Sequence, residues 1–268
     1  MNSPYPFPVR LALQIHPQHG AYSAMRDAAV EAEERGVDIV FNWDHFYPLS
    51  GDSDGAHFEC FTQLASFAEV TTRVEIGPLV ACNSYRNPNL LADMARTIDH
   101  ISGGRFILGI GSGWFEKDYD EYGYDFGTAP SRLRDLRRDL PIIEERLARL
   151  NPAPVRDVPI LVGGGGEKVT LRITAEHADI WHGFGDADTI RHKNEVLDSH
   201  CREVGRDPAE IERSAGVRSS EWDDPGSGDA LIAAGATLLT FGIGGPDFDL
   251  AFFDRWVEWR GETNSRRN

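Results

Sequence analysis

Short apolar runs alternate with longer amphipathic segments along nearly the whole chain. The runs with the composition of β-strands are residues 9–15, 37–42, 73–81, 105–110, 158–162, 178–183, 211–217 and 236–242. The helix-like segments lie near residues 21–35, 57–70, 88–100, 130–150, 167–177, 187–204, 226–234 and 248–260. Strands that alternate with helices in this way predict a parallel sheet with crossover helices.

The number of strand–helix pairs favours a closed α/β fold, a parallel eight-stranded (β/α)8 or TIM barrel. The chain has 268 residues and no evident linker, so we predict one domain over residues 1–268. A doubly wound open sheet is the alternative, although the first strand–helix turn, residues 15–20, lacks GxGxxG. In a barrel, the long connections 43–56 and 111–129 would lie at the carboxyl end of the strands, where active sites are built.

Charge and cysteine content exclude several kinds of partner. The formal net charge is −16, so neither nucleic acid nor an anionic membrane is expected to bind. No apolar run reaches the roughly 18 residues of a membrane span, and residues 1–10 lack the apolar core of a secretory signal. The three cysteines have no CxxC spacing. We therefore expect a cytoplasmic protein without a metal site.

Asp44 and His45 lie just past the second predicted strand and are flanked by Trp43 and Phe46. An imidazole near neutrality can donate or accept a proton, or as a cation stabilise negative charge. Large rings beside it suit a planar aromatic ligand. The alternative interpretation is structural, with Asp44 as a cap and His45 as a satisfied buried histidine.

Glycines also lie within or at the end of the third and fourth predicted strands. Gly77 and Pro78 interrupt the third strand and predict a bulge. Gly111, Ser112 and Gly113 end the fourth strand, where glycines allow the backbone to approach a ligand. The alternative for Gly77 and Pro78 is a plain strand irregularity. The alternative for the glycines at the end of the fourth strand is a tight turn.

Four consecutive glycines separate the fifth predicted strand from a helix. Gly163, Gly164, Gly165 and Gly166, followed by Glu167 and Lys168, would present backbone N–H groups at a helix N-terminus. Such an end attracts anions, so the turn predicts a phosphate site, with a flexible turn as the alternative. It is not a Walker A loop, because the GK[ST] ending is missing.

Five further residues near predicted strand ends are candidates for lining a substrate pocket: Gln14, His16, Trp43, Trp114 and Trp181. His16 could equally be a surface residue, and Trp181 could equally belong to the core. Asp118, Asp120 and Glu121 in the connection 111–129 are interpreted as caps or solvent-facing residues.

These stretches, in this order, resemble the luciferase-like monooxygenase superfamily, and in particular its actinobacterial oxidoreductases that use coenzyme F420, an 8-hydroxy-5-deazaflavin. The stretches that carry the resemblance are WDHF from Trp43, RVEIGPLVACNSYRNP from Arg73, DHISGGRFILGIGSGW from Asp99, PILVGGGGEK from Pro159 and ADIW from Ala178. The match covers residues 9–218 and is less specific for the deazaflavin than for the superfamily.

The resemblance implies a (β/α)8 barrel, usually a homodimer, that binds coenzyme F420 or alternatively FMN and a small-molecule substrate. It implies a non-prolyl cis peptide at Leu79–Val80 under the cofactor ring, contact of Asp44 with that ring, and His45 as the catalytic residue. It also implies that Gly163, Gly164, Gly165, Gly166, Glu167 and Lys168 bind the cofactor phosphate, helped by Gly111, Ser112 and Gly113.

Two departures from the family pattern affect the expected activity. Trp114 stands where sugar-phosphate dehydrogenases of the superfamily carry an acidic residue after the strand-four turn. Relatives also carry about 30 more residues before the fifth strand, so we expect the short connection 151–158 to leave the substrate rim more open. The leading hypothesis is an F420-dependent oxidoreductase. The alternatives are an FMN-dependent monooxygenase, a cofactor-binding protein without turnover, and a non-redox barrel enzyme acting on a sugar phosphate.

Overall fold

The computed structural model describes residues 5–267. Residues 1–4, which belong to the segment 1–10 considered above as a possible secretory signal, lie outside the described residues. It confirms the predicted alternation of parallel strands and helices. The strands are β1 (Arg10–Ile15), β2 (Ile39–Asn42), β3 (Glu75–Pro78), β4 (Ala81–Cys82), β5 (Leu108–Gly111), β6 (Ile160–Gly163), β7 (Ile180–Gly183), β8 (Glu212–Gly216) and β9 (Leu238–Ile243).

The strands form a parallel barrel in the order β3-β2-β1-β9-β8-β7-β6-β5-β4. Backbone hydrogen bonds close it, because the amide of Ile76 donates to Arg105 O (2.9 Å) and the amide of Ile107 donates to Ile76 O (2.8 Å). Nine strands stand where eight were predicted. The difference arises in the third predicted strand, which is split into β3 and β4 on either side of Leu79 and Val80.

Helices surround the barrel, and their bounds agree with the prediction within a few residues except at two places. They are α1 (Tyr22–Arg35), α2 (Cys60–Val70), α3 (Pro88–Ser102), α4 (Glu116–Tyr122), α5 (Ala129–Arg149), α6 (Thr170–His177), α7 (Ala187–Val204), α8 (Ser227–Ala233) and α9 (Phe253–Arg267). Helix α4 was predicted as loop, and α9 begins later than expected. Within residues 5–267, none of the helices combines the length and apolarity needed to cross a membrane.

Side chains that alternate along the strands divide the core into two layers. One layer fills the inside of the barrel, with Ala12, Phe41, Ile107, Leu161 and Leu238 packed together. The larger layer lies between the strands and the helices. Because successive strand side chains point to opposite faces, strands β1, β2, β6, β7 and β9 contribute residues to both layers.

The short connection 151–158 lies at the amino-terminal end of the barrel, away from the carboxyl ends of the strands. The amide of Val155 donates to Asp99 Oδ2 (2.7 Å), and the Arg156 guanidinium pairs with Glu75 at the start of β3 (2.6 Å). The connection itself therefore does not border the substrate rim, and the more open rim expected from its shortness stays a prediction. In such a barrel the strand-to-helix loops lie at the carboxyl-terminal end, whereas the connections from a helix to the next strand lie at the amino-terminal end.

Candidate functional site

A cavity of about 510 Å³, here called the first lobe, lies at the carboxyl ends of the strands. Most of the predicted site residues line it: Gln14, Trp43, Asp44, His45, Leu79, Val80, Gly111, Ser112, Gly113, Trp114, Gly163 and Gly164. They converge although they are far apart in sequence, because the carboxyl ends of parallel strands meet at one end of a barrel.

The backbone between β3 and β4 forms one wall of the first lobe. A non-prolyl cis peptide bond joins Leu79 and Val80, which confirms the position that the family resemblance implied. Gln14 Nε2 donates to Leu79 O (2.6 Å) and ties β1 to this wall. A Cβ added at Gly111 or Gly163 would lie 2.9 Å from a methyl carbon of Val80. The close approach of Val80 to the neighbouring strands therefore requires both glycines.

His45 also lines the first lobe and is held by Asp118 from α4. His45 Nδ1 lies 2.7 Å from Asp118 Oδ2, and the Asp118 side chain is fully buried. The same carboxylate accepts hydrogen bonds from the Tyr85 hydroxyl (3.0 Å) and from the amides of Phe46 and Tyr47 (both 3.1 Å). An ionised carboxylate can only accept, so Nδ1 carries the proton of this bond and Nε2 is the nitrogen available to a ligand.

Asp44 lines the first lobe, but its carboxylate is already bound by protein groups. Arg86 donates to both of its oxygens (2.6 and 3.0 Å), and the amide of Cys82 donates to Oδ2 (2.9 Å). Asp44 is only 1% exposed. Its carboxylate pairs with Arg86 and fixes the backbone at the start of the connection after β4.

Sequence reasoning missed both Asp118 and Arg86. Asp118 was interpreted as a cap or a solvent-facing residue, because the short helix α4 that turns it inwards has too little apolar periodicity to be predicted. Arg86 was part of the family resemblance but received no role. In neither case does sequence spacing indicate the partner, since the pairs are separated by 73 and 42 residues.

The glycine turn after β6 is divided between the cavity and the surface. Gly163 and Gly164 line the first lobe, whereas Gly165, Gly166, Glu167 and Lys168 lie beyond it and are exposed. Helix α6 begins at Thr170, immediately after the turn. Basic residues of α7 converge on the same place: Lys193 and His192 bind the Glu167 carboxylate (2.6 and 3.1 Å), and His200 contacts its carbonyl oxygen (2.7 Å). The turn thus combines a helix N-terminus with a local excess of basic groups.

A second cavity of about 620 Å³, here called the second lobe, adjoins the first. Gln14, Leu79, His182 and Phe184 line both lobes and form the boundary between them. The predicted pocket residue His16 lines the second lobe, where its ring stacks on Trp43 with 4.2 Å between the ring centroids. Burial lowers the pKa of His16 to about 4, so the ring is neutral near pH 7.

The prediction that Trp181 lines the pocket does not hold. Its side chain is fully buried in the layer between the strands and the helices. Neighbouring residues of β7 point to opposite faces, so His182 faces the cavities and Trp181 faces outwards. Trp181 contributes indirectly, because its Nε1 donates to Gly164 O (2.8 Å) and holds the glycine turn.

Near the site, His57 accepts a hydrogen bond from Trp43 Nε1 through its Nε2 (3.0 Å). Burial is the main cause that lowers the pKa of His57 to about 4. Between about pH 4 and 6.5, His57 is protonated in the unfolded chain but remains neutral in the folded chain. The stabilising effect of neutral His57 is therefore present above pH 6.5 and is lost as the pH falls towards about 4.

Replacing His57 by glutamine is expected to reduce this pH dependence, because glutamine retains an acceptor near the Nε2 position but does not titrate. Between about pH 6.5 and 4 the free energy of unfolding of the wild type should fall more steeply than that of His57→Gln, by up to about 1.4 kcal/mol per pH unit. Urea unfolding at several pH values measures both slopes. Equal slopes would contradict a neutral His57 in the folded protein.

Across residues 5–267, no group of three or more His, Cys, Asp or Glu side chains is placed to hold a metal ion. The fold and the candidate site together define a parallel α/β barrel with a cavity at the carboxyl ends of its strands, walled by a cis peptide and a histidine–carboxylate pair. The model of the luciferase-like monooxygenase family matches residues 1–224, and the chain belongs to this family. The resemblance found in the sequence is thereby confirmed at the level of the family.

The curated relatives include an F420-dependent dehydrogenase and a monooxygenase. An F420-dependent glucose-6-phosphate dehydrogenase of Kineococcus radiotolerans is 32% identical over 180 residues, which cover 61% of this chain and 53% of that protein. The pyrimidine monooxygenase RutA of Rhizobium rhizogenes is 28% identical over 185 residues, which cover 62% of this chain and 50% of that protein. This chain spans about half the length of the curated relatives it matches.

Solved structures share the fold over nearly the whole chain. An F420-dependent secondary alcohol dehydrogenase, in complex with an F420–acetone adduct, superposes with a TM-score of 0.84 at 14% identity, covering 95% of this chain and 99% of that one. The F420-dependent tetrahydromethanopterin reductase of Methanopyrus kandleri has a TM-score of 0.73 at 17% identity, with 96% and 98% covered. At these identities the likeness shows the fold alone.

Proposed function

We propose that this protein is an oxidoreductase that binds coenzyme F420 and acts on a small organic substrate. Support comes from the family membership and from relatives and structural neighbours that are F420-dependent. The observation that carries the proposal is the pair His45–Asp118, in which a buried carboxylate holds the imidazole at the wall of a cavity. A homodimer, as the resemblance implies, is part of the proposal, and light scattering would test it.

The residues present fit a planar ring with an anionic tail. The flat backbone of Leu79 and Val80 would lie under the ring, and Trp43 and Trp114 would flank it. Gly111, Ser112, Gly113, Gly163 and Gly164 would leave room for the chain that follows. The tail would leave past the exposed glycine turn, where the N-terminus of α6 and the side chain of Lys168 favour phosphate.

When bound, the deazaflavin supplies hydride transfer. The protein supplies orientation, exclusion of water and one positioned proton. His45 Nε2 would donate or accept that proton at the substrate or the ring, while Asp118 holds Nδ1–H and stabilises the imidazolium form. Asp44, bound to Arg86, would keep the wall after β4 in place.

An FMN-dependent monooxygenase is the second candidate, and one observation favours it. The RutA relative matches nearly the same share of this chain as the F420-dependent dehydrogenase does. The cavity walls are compatible with either ring. A cofactor-binding protein without turnover would use the same contacts.

Titration with coenzyme F420 and, separately, with FMN distinguishes these candidates. We expect quenching of tryptophan fluorescence by F420 with a dissociation constant of about 1 µM or lower, and weaker binding of FMN. Trp114 is 63% exposed and lines the first lobe, so Trp114→Phe should reduce the quenching. Trp259→Phe is the matched control, because Trp259 bonds Asp229 at the outer helices.

The outcomes separate the candidates. Tighter binding of FMN, together with oxygen consumption, would move the assignment to the monooxygenase. Tight F420 binding without turnover of any compound in a panel of alcohols, ketones and lactones would favour the binding protein. Binding of neither cofactor would overturn the proposal.

A further inference from the structure

The boundary between the two lobes contains a buried polar atom without a partner. His182 is 2% exposed, and its Nε2 makes no hydrogen bond within the described structure. The residue nevertheless lines both lobes. Buried polar groups are almost always hydrogen-bonded, so an unpartnered nitrogen at a cavity wall indicates that a ligand supplies the bond.

The other nitrogen of His182 belongs to a short chain of hydroxyl groups. His182 Nδ1 lies 2.8 Å from Ser214 Oγ, and Ser214 Oγ lies 3.2 Å from Thr240 Oγ1. Each hydroxyl can donate or accept, so the chain can run in either direction. When Ser214 donates to Nδ1, Nε2–H donates to a ligand; when Ser214 accepts, Nε2 accepts. His182 can therefore bond a carbonyl oxygen or a hydroxyl group.

The charges around the second lobe exclude a strongly anionic ligand. Of the described residues that line either lobe, Arg218 alone is a lysine or arginine, and its guanidinium pairs with Glu221 (2.5 Å). The lining carboxylate of Asp186 is also committed, because it accepts from the amide of Thr189 (2.9 Å) at the start of α7. The remaining walls are largely neutral, with the rings of Phe184 and Trp222 among them. A phosphate would lose its hydration there without a free cation to replace it.

We propose that the second lobe binds an uncharged organic substrate, and that His182 Nε2 hydrogen-bonds its carbonyl or hydroxyl oxygen. This inference rests on the proposed function, since it names the substrate class of the same site. Burial also lowers the pKa of His182 to about 4, so the ring is neutral near pH 7 and favours an uncharged partner. Sugar phosphates are poor ligands of this pocket, unlike in the named glucose-6-phosphate dehydrogenase relative.

The first test observes the imidazole directly by two-dimensional ¹H–¹⁵N NMR of the histidine ring nitrogens. Cyclohexanone and cyclohexanol are the uncharged probes, cyclohexanecarboxylate and glucose 6-phosphate the anionic ones, and methylcyclohexane the apolar control. We expect cyclohexanone and cyclohexanol to shift the Nε2 resonance of His182, and the other three to leave it unchanged. The spectra are recorded with and without coenzyme F420.

Two variants distinguish the roles of the two ring nitrogens of His182. The amide of His182→Gln reaches the position of Nε2 and can still bond a ligand, whereas that of His182→Asn reaches the position of Nδ1 and bonds only Ser214. Affinity for cyclohexanone should fall by about 3- to 10-fold in His182→Asn, the loss expected for one neutral hydrogen bond, and by less in His182→Gln. Equal losses in the two folded variants would overturn the role of Nε2.

Failure of this inference is distinguishable from failure of the proposed function. Coenzyme F420 binding is measured separately through the fluorescence titration. If F420 binds but the His182 resonance responds to no uncharged probe, or glucose 6-phosphate binds more tightly than cyclohexanone, the substrate assignment is overturned and the cofactor assignment stands. If F420 does not bind but the probes shift His182 as expected, the ligand role of His182 stands and the proposed oxidoreductase fails.

Discussion

Replacing His45 by alanine is expected to lower turnover by about 10²- to 10⁴-fold, the usual contribution of a positioned proton donor or acceptor. The dissociation constant of the cofactor should change much less, because most of the first lobe is formed by backbone and by other side chains. Oxidation of reduced F420 by a ketone, or reduction of oxidised F420 by an alcohol, measures the rate at saturating cofactor with the first active substrate from the panel. Fluorescence quenching measures the affinity.

His177→Ala is the matched control for this substitution. His177 also contacts a carboxylate through Nδ1, that of Glu144 (2.9 Å), but on the outer helices α5 and α6. The control should retain full turnover. An active His45→Ala enzyme, or a loss of cofactor binding as large as the loss of rate, would remove His45 from the catalytic role.

Replacing Gly109 by alanine is expected to destabilise the barrel by about 3 kcal/mol or more. A Cβ at this position would overlap the carbonyl oxygen of Pro78, which belongs to β3. The obstacle is backbone rather than the end of a flexible side chain, so only movement of the barrel wall could relieve it. Insertions into a packed core cost about 1–3 kcal/mol and occasionally more, and this contact is at the severe end. Urea unfolding monitored by circular dichroism measures the change.

Gly261→Ala is the control for the added methyl group. Gly261 lies within α9, and a Cβ there would meet no atom within 4 Å. Alanine at a helix interior is more favourable than glycine by about 0.5–1 kcal/mol, so this variant should be slightly more stable than the wild type. A Gly109→Ala protein as stable as the wild type would mean that the approach of Pro78 to β5 is looser than described.

The fold of this chain was largely readable from its sequence. Alternating strand and helix patterns predicted a parallel barrel, and the glycines near Leu79, Ser112 and Gly163 predicted where the backbone would come close to a ligand. These signals are local, since each depends on residues within one strand or one turn. The family resemblance added the cis peptide at Leu79–Val80, which local chemistry had indicated only as a bulge.

The partners of the site residues could not be read in the same way. Asp118 holds His45 from a helix with only 7 residues, which the sequence presented as part of a loop. Trp181 was assigned to the pocket although it faces outwards, because the register of a short strand cannot be deduced from an apolar run that is buried on both faces. The contacts that hold the connection 151–158 at the amino-terminal end of the barrel, with Glu75 and Asp99, also join residues that are distant in sequence.

The sequence by itself determined the class of fold, the family and the end of the barrel where the site lies. The fold class and the end of the barrel where the candidate site lies follow from periodicity and from residue types whose conformational or chemical preferences act over a few neighbours. The family follows from the resemblance of whole stretches to known proteins. Only the tertiary structure decided that Arg86 neutralises Asp44, that Asp118 orients His45, and that His182 faces the cavity with a nitrogen unpaired. Hydrogen bonds and charge pairs join residues that are distant in sequence, and their strength depends on separations of a few ångströms that exist only after the barrel has closed.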